Sequence, residues 1–166
     1  MVIKKISDIL PYKSSLGTRT LSSLKGVVVH HTASPISTPY NFMKRVTADA
    51  NYHISKGWGH IAYHYMIDKD GNIYQCYSEK EIGAHAGDWI WNKNSIAVCM
   101  DGDFTKDALP PVMAQALKDF LFYLCFKRPD LPGIVKGTVK THREVRPTPT
   151  ACPSDKVQAI VNAFRL

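Results

Sequence analysis

Four side chains in this 166-residue sequence have the types and separations of a metal-dependent hydrolase. His30 and His31 end a β-branched run, His142 lies more than a hundred positions later, and Cys152 follows a Pro/Thr-rich stretch. A His, His, Cys set drawn from distant positions is the pattern of a catalytic zinc site: three protein ligands hold the ion and water takes the fourth position. A structural zinc site more often uses four ligands in two close pairs, and Cys76, Cys99, Cys125 and Cys152 form no Cys-x-x-Cys pair. Cys76 and Cys99 sit in apolar strand-like runs and Cys125 in an apolar helix, so these three read as buried thiols. Cys152 stands apart, in Thr-Ala-Cys-Pro-Ser among turn formers.

The elements that must position these groups follow from periodicity. Gly26–His30 reads as a buried strand. Thr38 and Pro39 resemble an N-cap and first helical residue, and Phe42, Val46 and Ala50 carry a helix to about Ser55, ended by Gly57-Trp58-Gly59. A strand over 61–67 turns at Asp70-Gly71-Asn72 into a second over 73–77. Residues 83–94 read as a loop rich in Gly, His and Trp, and 95–100 as another strand. Pro110 and Pro111 open a helix with an apolar face of Val112, Leu117, Phe120, Leu121 and Leu124. A last strand is expected over 135–141 and a final helix over 153–164. The expected fold is mixed α/β: a central mixed sheet flanked by helices, with the zinc cleft at the strand ends. Residues 1–25 form an arm packed on a catalytic domain of residues 26–166.

Several segments, in order along the chain, resemble the type 2 N-acetylmuramoyl-L-alanine amidases, a family that includes phage lysozyme-amidases and animal peptidoglycan recognition proteins. They are Val-Val-Val-His30-His31-Thr-Ala, Gly59-His-Ile-Ala-Tyr63-His64-Tyr, Asp70-Gly71-Asn-Ile-Tyr, Gly83-Ala-His85-Ala-Gly, Asn94-Ser95-Ile96-Ala-Val, and His142-Arg-Glu-Val followed by Ala-Cys152-Pro-Ser. The resemblance implies one zinc ion held by His30, His142 and Cys152, and hydrolysis of the amide between N-acetylmuramic acid and L-alanine in peptidoglycan. It makes Tyr63 the catalytic tyrosine. Thr150 falls where phage amidases often carry lysine and the recognition proteins threonine; a neutral hydroxyl can donate to an oxyanion but adds no positive charge. The stretch from His142 to Cys152 is two residues longer than in cysteine-bearing relatives, which implies a bulged loop. The His85 loop matches a family segment near the substrate, so His85 is expected to contact substrate, with Trp91 and Asn94 beside it. Trp58, Trp89 and Trp91 can stack on sugar faces; core packing explains Trp58 equally well.

Strand alternation allows only one residue of His30–His31, and one of Tyr63–His64, to face the cleft. By the resemblance these are His30 and Tyr63. His31 and His64 then read as partner-satisfied histidines under a helix, and His60 as a surface histidine.

Composition bounds the rest. Hydrophobic residues at 45% and charged residues at 21% suit a globular domain, expected to be a monomer. No apolar run approaches the roughly 18 residues of a membrane span, and residues 1–10 lack the apolar core of a signal peptide. A phage or prophage endolysin fits these features, made in the cytoplasm and reaching the wall with a holin's help. The net charge of +7 suits an anionic wall polymer as well as plain solubility. Its basic residues never run beyond two, which argues against a nucleic-acid stripe. A non-catalytic peptidoglycan-binding module is the other reading of the same motifs, disfavoured by the presence of Cys152.

Overall fold

The computed structural model describes residues 1–166. Six strands form one sheet in the order β1-β4-β3-β5-β2-β6: β1 is Ile3–Lys5, β2 Gly26–His31, β3 Tyr65–Ile67, β4 Ile73–Gln75, β5 Ser95–Met100 and β6 Val139–Thr141. Only β3 and β4 pair antiparallel, through the Gly71 turn, where φ is +79°. The central β2–β5 pair runs parallel, with Val27 opposite Ile96 and His30 opposite Cys99. Both strands are buried throughout, which explains their unbroken apolar runs.

Alternation sorts the two faces. Val27, Val29, Ile96, Val98 and Met100 pack against α3 (Pro111–Phe126) and α5 (Asp155–Arg165). On the other face α1 (Phe42–Ser55) lays Phe42, Val46 and Ala50 onto Met66, Tyr77 and Cys99. The mixed sheet flanked by helices agrees with the sequence reading.

Several local expectations are corrected. The residue capping α1 is Asn41, whose side chain accepts the Lys44 N–H at 2.9 Å, in place of Thr38. The arm contributes a strand, because Ile3–Lys5 pairs in parallel with Ile73–Gln75 at the sheet edge. The segment read as a loop contains α2 (Trp89–Asn94), started by Asp88, whose carboxylate accepts the Trp91 N–H at 3.0 Å. The strand expected over 61–67 begins only at Tyr65. The one expected over 135–141 is a 3-10 turn, Lys136–Thr138, followed by the three residues of β6. Val112 is 53% exposed, and Met113 takes the buried place on α3. All four cysteines are free, with Cys76 and Cys99 buried and Cys125 half-buried.

Candidate metal centre and cleft

His30, the last but one residue of β2, lies on the face that carries Val28, while His31 turns to the other face, where its Nδ1 accepts the Phe104 N–H at 3.3 Å. His142 opens α4 (His142–Val145) directly after β6. A reciprocal cap fixes that turn: Thr141 N–H donates to Glu144 at 2.7 Å, and Arg165 holds the other Glu144 oxygen at 2.9 Å. Cys152 precedes α5. Its thiol receives the His31 N–H at 3.4 Å, its carbonyl accepts the Arg143 N–H at 3.1 Å, and its own N–H donates to the Thr150 hydroxyl at 3.2 Å. The loop between these ligands is thus tied down at both ends.

The ligand atoms of His30, His142 and Cys152 lie within 4.8 Å of one another. His30 Nδ1 is 3.9 Å from Cys152 Sγ, close to the about 3.6 Å that zinc–nitrogen and zinc–sulfur bonds span at a tetrahedral angle. The back of His30 supports the same assignment. Its Nε2 is 3.1 Å from His85 Nδ1, His85 Nε2 is 3.4 Å from Ser95 Oγ, and that hydroxyl donates to Trp91 O at 2.5 Å. A consistent proton order runs through this chain: His30 Nε2–H donates to His85, and His85 Nε2–H donates to Ser95. His30 Nδ1 is left as a free lone pair facing Cys152 and His142, the tautomer a metal ligand needs. Burial, with neighbouring His142 and His85, holds His30 well below the usual histidine range, and burial with Arg146 pulls His142 down to about 4. Both rings are therefore neutral donors near pH 7. Burial pushes the Cys152 thiol up to about 12, against the pull of the His31 N–H and Arg143; a bound cation would displace that proton. The donor set and its surroundings fit zinc.

A cleft of about 370 Å³ opens beside this trio, lined by Thr32, Ser34, Asp49, Tyr52, His53, Trp58, Tyr63, His85 and His142 among others. A smaller depression of about 230 Å³ continues it, sharing Trp58, His85 and His142 and adding Asn92 and Arg146. Tyr63 lies in the coil before β3, its ring 5.3 Å from that of His30 and 5.5 Å from that of His53. Burial, with Cys99 and Cys152 nearby, raises its hydroxyl well above the usual phenol range, so it keeps its proton. His53 stacks on Trp58 at 5.0 Å, and its Nδ1 accepts the Ala62 N–H at 3.1 Å.

The structure therefore brings His30, His142, Cys152, Tyr63 and His85 together. His85 is buried behind His30 as well as reaching the cleft wall. Three other residues lie elsewhere. Thr150 lines a separate groove with Phe104, Arg143 and Lys156. Trp91 packs on Val28, Ala86 and Val145. Asn94 Nδ2 donates to Ile90 O at 2.9 Å. His64 is enclosed, with Ala97 N–H donating to its Nδ1 at 3.0 Å and Arg19 at 2.7 Å from its Nε2. His60 is 2% exposed and stacked on Tyr12, so it is no surface residue. Asp49, His53 and Asn92 are cleft residues that sequence reasoning missed. The i, i+3, i+4 spacing of Asp49, Tyr52 and His53, which sets all three along one side of α1, was the available signal.

Residues 20–155 match the profile of the N-acetylmuramoyl-L-alanine amidase family. Among curated proteins, Peptidoglycan-recognition protein SC1a of Drosophila melanogaster is 35% identical over 100 residues, 59% of this chain and 53% of that protein. Peptidoglycan-recognition protein LB of the same organism is 31% identical over 144 residues, 83% of this chain and 58% of that protein. The chain thus spans little more than half the length of these relatives. Among solved structures, Drosophila PGRP-LB superimposes with a TM-score of 0.75 at 27% identity, covering 98% of this chain and 93% of that one. The endolysin amidase LysCS from Clostridium intestinale superimposes with a TM-score of 0.70 at 25% identity, covering 97% and 95%.

Proposed function

Because the chain belongs to the N-acetylmuramoyl-L-alanine amidase family, we propose that it is a zinc-dependent hydrolase of the amide joining N-acetylmuramic acid to L-alanine in peptidoglycan. The observation that carries this reading is the clustering of His30, His142 and Cys152 within 4.8 Å beside a cleft that also holds Tyr63. A protein that only binds the wall has no need of such a donor set.

In this reading His30, His142 and Cys152 hold one zinc ion. Zinc bound there would lower the pKa of its water towards ~7 and polarise the scissile carbonyl. The remaining chemistry belongs to the chain. His85 fixes the tautomer and ring plane of His30 through the 3.1 Å contact. Tyr63, held protonated by burial, donates to the carbonyl oxygen as negative charge builds on it. His53 supports the Tyr63 ring edge-on. Thr150, bonded to the Cys152 N–H, acts as a positioning residue for the thiolate loop. The surface of His53 and Trp58 forms an apolar wall suited to a sugar or peptide face.

The endolysin role, with holin-assisted release to the wall, rests on the likeness to the endolysin amidase and on the resemblance of the sequence motifs to those of phage lysozyme-amidases. No helix is long and apolar enough to cross a membrane. The test is turnover of purified cell walls by the metal-loaded protein, by protein stripped with a chelator, and by stripped protein resupplied with zinc. Hydrolysis that is lost and then restored is expected. Binding to walls without turnover in any of the three would make this a recognition module.

A further inference from the structure

Buried and half-buried carboxylates in this fold accept hydrogen bonds, with one exception. Asp101 accepts from Arg45 at 2.8 Å through both oxygens and from Tyr40 at 2.7 Å. Glu79 accepts from Arg128 at 2.9 and 2.7 Å and from Tyr65 at 2.5 Å. Asp68 takes the Asn72 side chain and Tyr74 at 2.9 and 3.0 Å. Asp49 has no such partner. It sits mid-way along α1, half-buried, on the wall of the metal cleft, and it is the one acidic side chain lining that cleft.

Nothing in the fold accounts for a carboxylate there. The middle of a helix gains nothing from aspartate, which is among the weaker helix formers. The nearest arginine, Arg45, is one turn away, but its guanidinium is committed to Asp101, Ser34 O and Pro35 O. Lys56 reaches out over the Tyr52 ring instead, 5.1 Å from its centroid. An unpartnered carboxylate held partly out of water is costly, and a cation placed against it removes that cost.

We infer that Asp49 is a specificity-determining residue that binds a positively charged amino group of the substrate, an assignment resting on the amidase reading above. N-acetylated sugars carry no free amine. The amine is therefore the side chain of a diamino acid in the stem peptide, or else a sugar amine freed of its acetyl group. The charge of the cleft agrees: Arg146 lines the adjoining depression, which shares Trp58, His85 and His142 with the main cleft, and Asp49 is the sole acidic side chain of the two. Burial, together with Asp101, raises the Asp49 carboxyl to about 6 against the pull of Arg45, so it is ionised near neutral pH and gains from a cation.

The zinc-loaded wild type, Asp49→Asn and Asp49→Glu are titrated with three muramoyl tripeptides, and their cleavage rates are measured. The first ligand has a free lysine amine and an N-acetylated sugar, the second has both amines acetylated, and the third has an acetylated lysine with a free sugar amine. Wild type is expected to bind one of the amine-bearing ligands about tenfold more tightly than the fully acetylated one, the scale of one charge-assisted hydrogen bond. Which ligand shows the preference identifies the amine's source. Asp49→Asn should abolish the preference through KM with kcat and zinc content retained, and Asp49→Glu should restore part of it. Equal affinities in wild type, or a preference that survives in Asp49→Asn, overturn the assignment while leaving amide cleavage intact. Failure of wild type to bind or cleave any of the three overturns it together with the amidase reading.

Discussion

The side-chain oxygen of Asn92 accepts two consecutive backbone N–H groups, from His85 at 2.9 Å and Ala86 at 2.7 Å. This pair of hydrogen bonds to one amide oxygen pins the loop carrying His85 onto α2, and His85 in turn backs His30. Asn92→Ala should leave both N–H groups short of a partner and loosen His85. The expected result is a stability loss of about 1–3 kcal/mol and zinc affinity weakened about tenfold, as for other groups that orient a ligand. Chelator competition and chemical denaturation measure the two. Unchanged zinc affinity would mean that the loop does not position His30.

Tyr63→Phe keeps the ring that packs between His30 and His53 and removes only the hydroxyl. Zinc content and melting temperature should stay near wild type, while cell-wall hydrolysis falls by about 10²-fold or more, the usual scale for one lost donor to a developing oxyanion. Near-normal hydrolysis would make Tyr63 a packing residue.

Glu79 is 5% exposed, and its carboxylate accepts hydrogen bonds from Arg128 and Tyr65. Arg128→Met should strand that carboxylate and cost about 3 kcal/mol, read by urea unfolding, whereas Arg128→Met combined with Glu79→Gln should cost clearly less. Equal losses in the single and double variants would show that packing of the arginine stem, rather than charge, is what matters.

Asp49 gives a pH dependence of opposite sign to a salt-bridged carboxylate. Its folded pKa, about 6, lies above the ordinary 3.8 because burial and Asp101 outweigh Arg45. The folded state therefore holds the proton more tightly than the unfolded chain. The stability this supplies is complete below about pH 4 and is lost as pH rises through 6. Asp49→Asn, which mimics the protonated form, should match wild type at pH 3 and exceed it by on the order of 1–3 kcal/mol at pH 8. A variant less stable than wild type at pH 8 would show that the ionised carboxylate has a partner in the fold.

What was legible in the sequence divides along physical lines. The β-branched run of β2, the apolar β5 and the Gly71 turn carry their own local signals, and the structure has each of them. Ile3–Lys5 carries none: two of its three residues are lysines, and it is a strand only because Ile73–Gln75 offers an open edge. Trp89-Ile-Trp begins with residues of modest helix propensity, so α2 depends on the Asp88 cap and the Asn92 ties. At the site, the three metal-binding candidates were visible as motif residues. Side-chain direction was not. Nothing in the spacing of Thr150, Trp91 or Asn94 shows that the first faces another groove, the second a small core and the third its own helix. Asp49 was hidden for a different reason, since a lone aspartate on a helix ordinarily reads as a solvated surface residue.

Zinc-bound hydroxide can attack many carbonyls, so the identity of the bond cut is the central claim. Mass spectrometry of a digest of purified peptidoglycan reads it directly. The expected products are free stem peptides with new L-alanine amino termini, and glycan strands that carry free lactyl carboxylates and no new reducing ends. New reducing sugars, or cleavage within the stem beyond L-alanine, would contradict it.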